Sequence, residues 1–155
     1  MPRGDQSQLT GTAGTYYVMA QLAGRGYHAS CTFGNAPCVD ILVASEDGRK
    51  ALSIQVKTAR WAQRWRKKTG KLVELQWTLG RKAAKQGNPR LLYAFVDLKE
   101  LSPSEVPDVY IIPSEWVRDY ASSWVDSEKW VRFHVTPERI EPFKNNWDSI
   151  AAMLE

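Results

Sequence analysis

Three polar side chains interrupt two otherwise apolar runs in the stretch CVDILVASEDGRKALSIQVKTAR, residues 38–60: Asp40 in the first run, Gln55 and Lys57 in the second. A carboxylate and an amide oxygen are hard donors, the kind that Mg²⁺ takes together with waters and a substrate phosphate. A divalent ion held this way polarises a phosphoryl oxygen and lowers the pKa of a bound water. An ammonium alongside can orient that water or offset the charge that builds in the transition state. The chemistry available is attack of water on a phosphate, provided the three groups meet. The same residue types are common on the wet side of a hairpin, so the spacing alone favours a solvated face.

What brings them together is the turn. The two runs are joined by SEDGR, and Asp47-Gly48 is a strong hairpin signal. Counting outward from those two residues pairs Glu46 with Arg49 and sets Asp40 opposite Gln55. Cross-strand partners share a face with Cβ atoms about 4.5–5.5 Å apart. Lys57, two residues further along, points to the same face, while Ile54 and Val56 point to the other. A slip of one residue would separate Asp40 from Gln55.

The elements around the hairpin follow from periodicity. Residues 9–23 read as a helix with Val18 and Leu22 on one face, ended by Gly24 or Gly26 in the left-handed conformation. Strands are expected at 39–44, 51–58 and 72–79, the last from alternation of Val73, Leu75, Trp77 and Leu79 with polar neighbours. LLYAFVDL (91–98) is apolar throughout, as a central strand covered on both faces would be. DVYIIP (108–113) reads as a further strand, followed by a helix to about Trp124 capped by Ser114. WVRFHV (130–135) suits an edge strand, and Asn145 or Asn146 caps a last helix to Met153. Intermixed strands and helices make the class α/β, a central mixed sheet flanked by helices.

At 155 residues, 43% hydrophobic and 25% charged, the chain suits one soluble domain spanning 1–155. No apolar run nears the roughly 20 residues of a membrane span, and the N-terminus lacks an apolar signal core, so a cytoplasmic location is expected. Cys31 and Cys38 have no second Cys/His pair, which argues against zinc and for two ordinary thiols. His28 and His134 stand apart from them and from each other. No nucleophile-elbow pattern occurs, and GTAG at 11–14 is misplaced for a phosphate loop, so no organic cofactor is expected. Its glycines suit close packing of the first helix instead.

The net charge is only +4, but it is unevenly spread. Residues 57–90 hold eleven Lys/Arg against Glu74 alone, whereas 91–155 hold six against twelve acids. A concentrated positive stretch is what a polyanion partner requires. The acidic part is either a solvated face or a contact for the basic part of a second copy, which leaves a homodimer open. Trp61 and Trp65, four apart, are either a stacking surface for bases or, on a helix, two indoles packed on the core.

The segment GNAPCVDILV…ALSIQVKT resembles the PD-(D/E)XK nuclease superfamily, in its restriction-endonuclease-like and Holliday-junction-resolvase-like branch. There an Asp, a hairpin and Glu/Gln-x-Lys follow one another, and Asp40, Gln55 and Lys57 stand at those positions. GTAGTYYVMAQLAGRGY is similar to that family's first helix, and LLYAFVDL…DVYIIPSEWV…NNWDSI to its second half. The resemblance implies a restriction-endonuclease-like fold and cleavage of DNA dependent on Mg²⁺ or Mn²⁺. It makes Asp40, Gln55 and the Val56 carbonyl metal ligands, with Asp40, Gln55 and Lys57 catalytic and Lys57 positioning the water. Arg60, Arg64, Arg66, Lys67 and Lys68, which leave the active strand, would grip DNA phosphates. Thr15 stands where the family often has a Glu, and Gln55 where many members have Glu. A catalytically inactive nuclease fold that binds nucleic acid or a protein partner is therefore the alternative.

Overall fold

The computed structural model describes residues 3–32 and 39–155. Thr32 and Asp40 are therefore described, while the Gly34–Cys38 part of the motif and Cys38 itself lie outside the described residues. Helix α1 (Arg3–Gly24) leads into β1 (His28–Cys31), β2 (Ile41–Ala44) and β3 (Ala51–Ala59). A second hairpin, β4 (Gln63–Arg66) and β5 (Lys71–Thr78), precedes the one-turn helix α2 (Arg81–Ala84). Then come β6 (Leu91–Asp97), β7 (Asp108–Pro113), α3 (Ser114–Ala121), β8 (Arg132–Val135), the short α4 (Pro137–Ile140) and α5 (Asp148–Leu154).

The strands form two sheets. Five of them run in the order β1-β2-β3-β6-β7, with β3 and β6 parallel and the remaining neighbours antiparallel, so the main sheet is mixed as expected. Strands β4-β5-β8 make a separate three-stranded sheet. The expected strand at 72–79 therefore belongs outside the central sheet, and β8 is an edge strand of the smaller one. Every residue of β6 is buried, because it lies between β3 and β7 with both faces covered.

Alternation along β3 and β6 sends side chains into two cores. On one face Ile54, Leu92, Ala94 and Val96 meet Val18 and Leu22 of α1 and Ile150 of α5. On the other, Tyr93, Phe95 and Ile112 meet Leu75, Trp77 and Phe133 of the smaller sheet and Val117 of α3. Phe95 stacks on Phe133 with ring centroids 4.3 Å apart. The main sheet is thus covered by helices on one face and by the second sheet with α3 on the other. No helix among the described residues is long and apolar enough to cross a membrane.

Several local expectations change. Gly26, with φ +86°, ends the first helix rather than Gly24. Ser114 does not cap α3: its hydroxyl donates to the Asn88 carbonyl at 2.8 Å and accepts the Asn88 N–H at 2.9 Å, tying the helix to the preceding loop. The helix also stops at Ala121, short of Trp124. Neither asparagine caps α5 through its side chain; Asn145 Oδ1 accepts the Val109 N–H instead. Trp65 lies in β4 and Trp61 in the connection before it, so their spacing of four does not put them on one helical face.

Candidate active site

The turn at Asp47-Gly48 is wider than a two-residue loop. Ser45 N–H donates to the Lys50 carbonyl at 2.9 Å, leaving four residues beyond that pair, with Gly48 at φ +69°. The register is nonetheless the expected one, because the loop gains one residue from each strand: Ala44 pairs with Ala51 and Ile41 with Ile54. The ladder stops at Ile41 and Ile54; Asp40 lies in a bend just before it, its N–H bonded to the Ile54 carbonyl rather than paired with Gln55.

Asp40 sits one residue before β2 and is held by both neighbouring segments. Its N–H donates to the Ile54 carbonyl at 2.9 Å, and its carbonyl accepts the Thr32 N–H at 2.9 Å. Its carboxylate oxygen Oδ2 accepts the Val56 N–H at 2.7 Å. β2 ends at Ile41, so beyond Ile54 the strand β3 has β6 on one side and only Asp40 on the other. In an extended strand the N–H and C=O of one residue face the same neighbour. The Val56 carbonyl therefore lies along the edge that Asp40 closes.

Gln55 and Lys57 share the opposite orientation to Val56, on the face where Tyr93 and Phe95 are their partners in β6. Gln55 is 7% exposed, and its Oε1 has no hydrogen-bond partner. Leaving such an oxygen unpaired costs about 1–3 kcal/mol, which a bound cation would remove. Lys57 is half-buried. The three residues thus gather within one step of β3, but they do not line one cavity. The carboxylate opens on a groove of about 280 Å³ formed with Thr12, Thr15, Tyr16, Cys31 and Thr32, in which Gln55 and Lys57 take no part.

The Asp40 carboxylate and the Gln55 amide oxygen are both hard donors, but the first opens toward α1 and the second lies on the Tyr93 and Phe95 face of β3, so as placed they do not form one ligand set. Among the described residues no three His, Cys, Asp or Glu side chains gather to hold a metal, so the anionic charge at this point comes from Asp40. Thr15, half-buried across the groove, supplies a hydroxyl where a further acid would fit. Its position depends on Gly14. A Cβ there would run into the Thr58 hydroxyl, so the missing side chain is what lets α1 lie against β3 beside Lys57. Cys31 in the same groove is a free thiol.

The basic residues leave β3 and enter the β4-β5 hairpin. Arg66, Lys67 and Lys68 are exposed near its tip, where Gly70 takes φ +61°. Trp65 is 51% exposed, its Nε1–H donating to Gln63 Oε1 at 3.1 Å. Arg64 Nη1 donates to the Trp61 and Gln63 carbonyls at 3.0 and 3.1 Å. Arg60 pairs with Glu100 at 3.3 Å.

A residue not anticipated from sequence anchors this hairpin. Asp97 is fully buried at the end of β6, where its Oδ1 accepts the N–H groups of Ala62 (3.1 Å) and Lys99 (3.1 Å). Gln63 Nε2 donates to its Oδ2 at 3.4 Å. Burial raises its carboxyl above the usual range against the pull of those donors, and the charge of Asp108, its cross-strand partner, adds to the rise. Next to it the backbone makes a left-handed turn through Lys99, Glu100 and Leu101, with φ between +49° and +59°. Such a conformation costs L-residues about 1–2 kcal/mol each. The Glu100 N–H, donated to the Arg60 carbonyl at 2.7 Å, is one bond that holds it. The signal for Asp97 was faint: an acid closing an apolar run reads as a strand end.

No protein-family model matches the chain, and no curated relative does. Among solved structures, the fold is similar to that of a bacterial homing endonuclease, I-Ssp6803I, with a TM-score of 0.59 over 94% of this chain and 91% of that one. The two sequences are 16% identical, so the likeness is one of fold.

Proposed function

We propose that the chain is a nuclease of the PD-(D/E)XK type that hydrolyses DNA phosphodiester bonds with Mg²⁺ or Mn²⁺. The observation that carries this reading is the edge of β3, where the Asp40 carboxylate accepts the Val56 N–H, one residue along the strand from Gln55, whose buried oxygen has no partner. The fold shared with a homing endonuclease agrees with it.

Asp40 and the Val56 carbonyl would hold the ion, which when bound polarises the scissile phosphate and lowers the pKa of water. Asp40 supplies the negative charge, and the Val56 N–H fixes the orientation of its carboxylate. Gln55, as placed, stands outside this set, so the site relies on substrate phosphates to complete it. Lys57, two residues on, orients the attacking water and offsets charge on the phosphate. Arg60, Arg64, Arg66, Lys67 and Lys68 hold the DNA backbone, with affinity that falls as salt rises.

Incubation with supercoiled plasmid and Mg²⁺ or Mn²⁺ tests this. Nicking that chelation stops and that both Asp40→Asn and Lys57→Ala abolish is the expected result. Equal nicking by the variants would overturn it. The second reading, a fold that binds DNA without cutting it, is favoured by Thr15 and by the single carboxylate at the site. DNA binding with no cleavage under either metal would select it.

A further inference from the structure

Beyond the hairpin residues, we propose that the cleft between the end of β3 and the smaller sheet is a subsite for one unpaired nucleotide. Its phosphate rests on Arg60, Arg64 and Arg132, and its base lies against Trp61. The proposal rests on the DNA reading above, which supplies the ligand class, and it deepens that reading by naming where an exposed base is taken.

The cleft encloses about 520 Å³, within the range of pockets that hold small molecules. Three arginines line it, from three separate parts of the chain: Arg60 just past β3, Arg64 in β4 and Arg132 at the start of β8. No acidic side chain lines it. Arg64 donates to neutral carbonyls and makes no ion pair with Glu74, the residue opposite it in β5, whose carboxylate is taken by Gln76. Arg60 is tied to Glu100, but both partners of that pair are more than half exposed. Exposed pairs of this kind are worth about 0–1 kcal/mol, so a phosphate can displace the carboxylate. Glu128 approaches Arg132 through the backbone N–H at 3.3 Å and shares its carboxylate with His134, outside the cleft wall.

The remaining wall is that of a base site rather than of a bare anion site. Trp61 is half-buried and lines the cleft, an aromatic side chain of the kind on which bases stack. Gln76, also on the wall, donates its Nε2–H to Glu74, which leaves its amide oxygen to accept from a base edge. A base in a duplex has its faces covered by its neighbours in the stack, so a base that lies on the indole is an unpaired one. The site also lies in reach of the proposed chemistry. At about 3.3 Å per residue along a strand, Arg60 is roughly 10 Å beyond Lys57, a distance that one DNA strand can span.

Binding without metal tests the subsite apart from cleavage. A twelve-nucleotide single strand and its fully abasic counterpart are titrated in EDTA by fluorescence anisotropy. The natural strand is expected to bind about tenfold tighter, in line with stacking of about 1–3 kcal/mol per base. Trp61→Leu should bring that ratio to within twofold, while Trp65→Leu leaves it intact. Arg132→Gln, at an exposed position on an edge strand, should weaken both ligands and lower the salt slope by about one. A ratio unchanged in Trp61→Leu, or lost in Trp65→Leu, overturns the subsite, as does an unchanged slope in Arg132→Gln. If the wild type binds natural and abasic strands equally, the subsite falls alone; if it binds no DNA even at low salt, the DNA reading falls with it.

Discussion

The two ends of β3 are built differently. In its first half the strand is paired with β2, and from Ser53 with β6 as well, and its side chains Leu52 and Ile54 are sealed in the core. From Val56 onward β2 has ended, and a single carboxylate takes the place of a neighbouring strand. A bare strand edge is ordinarily a liability. Here it exposes main-chain polar groups beside two half-buried or buried polar side chains, and that combination is what metal and phosphate chemistry needs. On the proposed reading, the sealed half fixes the position of groups that the open half presents to a substrate.

The largest effects should come from the open end. Lys57→Ala is expected to lower plasmid nicking by about 10²–10⁴-fold, the range for a positioned proton-transfer or water-orienting group, with the melting temperature little changed. A comparable loss of nicking and of stability together would mean that Lys57 supports the fold rather than the reaction.

Asp97 tests what holds the far end of the strand to the second hairpin. Asp97→Ala strips the partner from two buried N–H groups and should cost about 2–4 kcal/mol in urea unfolding. Asp97→Asn should cost less, because both N–H groups bond to the same oxygen, which an amide retains. Equal costs would place the stabilisation in the charge instead. The pH dependence has a definite sign. Since the folded carboxyl titrates above its usual 3.8, the folded state binds more protons there. Stability therefore falls as pH rises from that value through the raised one, and Asp97→Asn should flatten this decline.

Gly14→Ala pushes a methyl group into Thr58 and should cost about 1–3 kcal/mol in the same unfolding measurement. It should also reduce nicking, because α1 carries Thr15 to the groove of Asp40. Thr15→Glu is the milder and more informative change. A second carboxylate in that groove should lower the Mn²⁺ concentration needed for half-maximal nicking, and no shift would mean that α1 does not face the bound ion.

The sequence disclosed the two halves unequally. The Asp47-Gly48 turn set the register of β2 and β3 even though the loop proved wider, because widening by one residue on each side leaves the pairing unchanged. The apolar run of β6 disclosed a central strand. The β4 strand did not show itself: QRWR is basic rather than alternating, and Trp61 and Trp65 have helical spacing in what is a strand and the connection before it. Arg132 joins Arg60 only through the packing of one sheet on another, a juxtaposition no local pattern records. The Thr58–Gly14 contact was legible only as a small residue in a helix.

The central claim is that Asp40 holds a divalent ion at the edge of β3. Mn²⁺ binding to the protein–duplex complex, counted by electron paramagnetic resonance, tests it most directly. One Mn²⁺ per chain in the wild type, lost in Asp40→Asn while DNA affinity persists, is the result expected. The same Mn²⁺ bound by Asp40→Asn as by the wild type would contradict it.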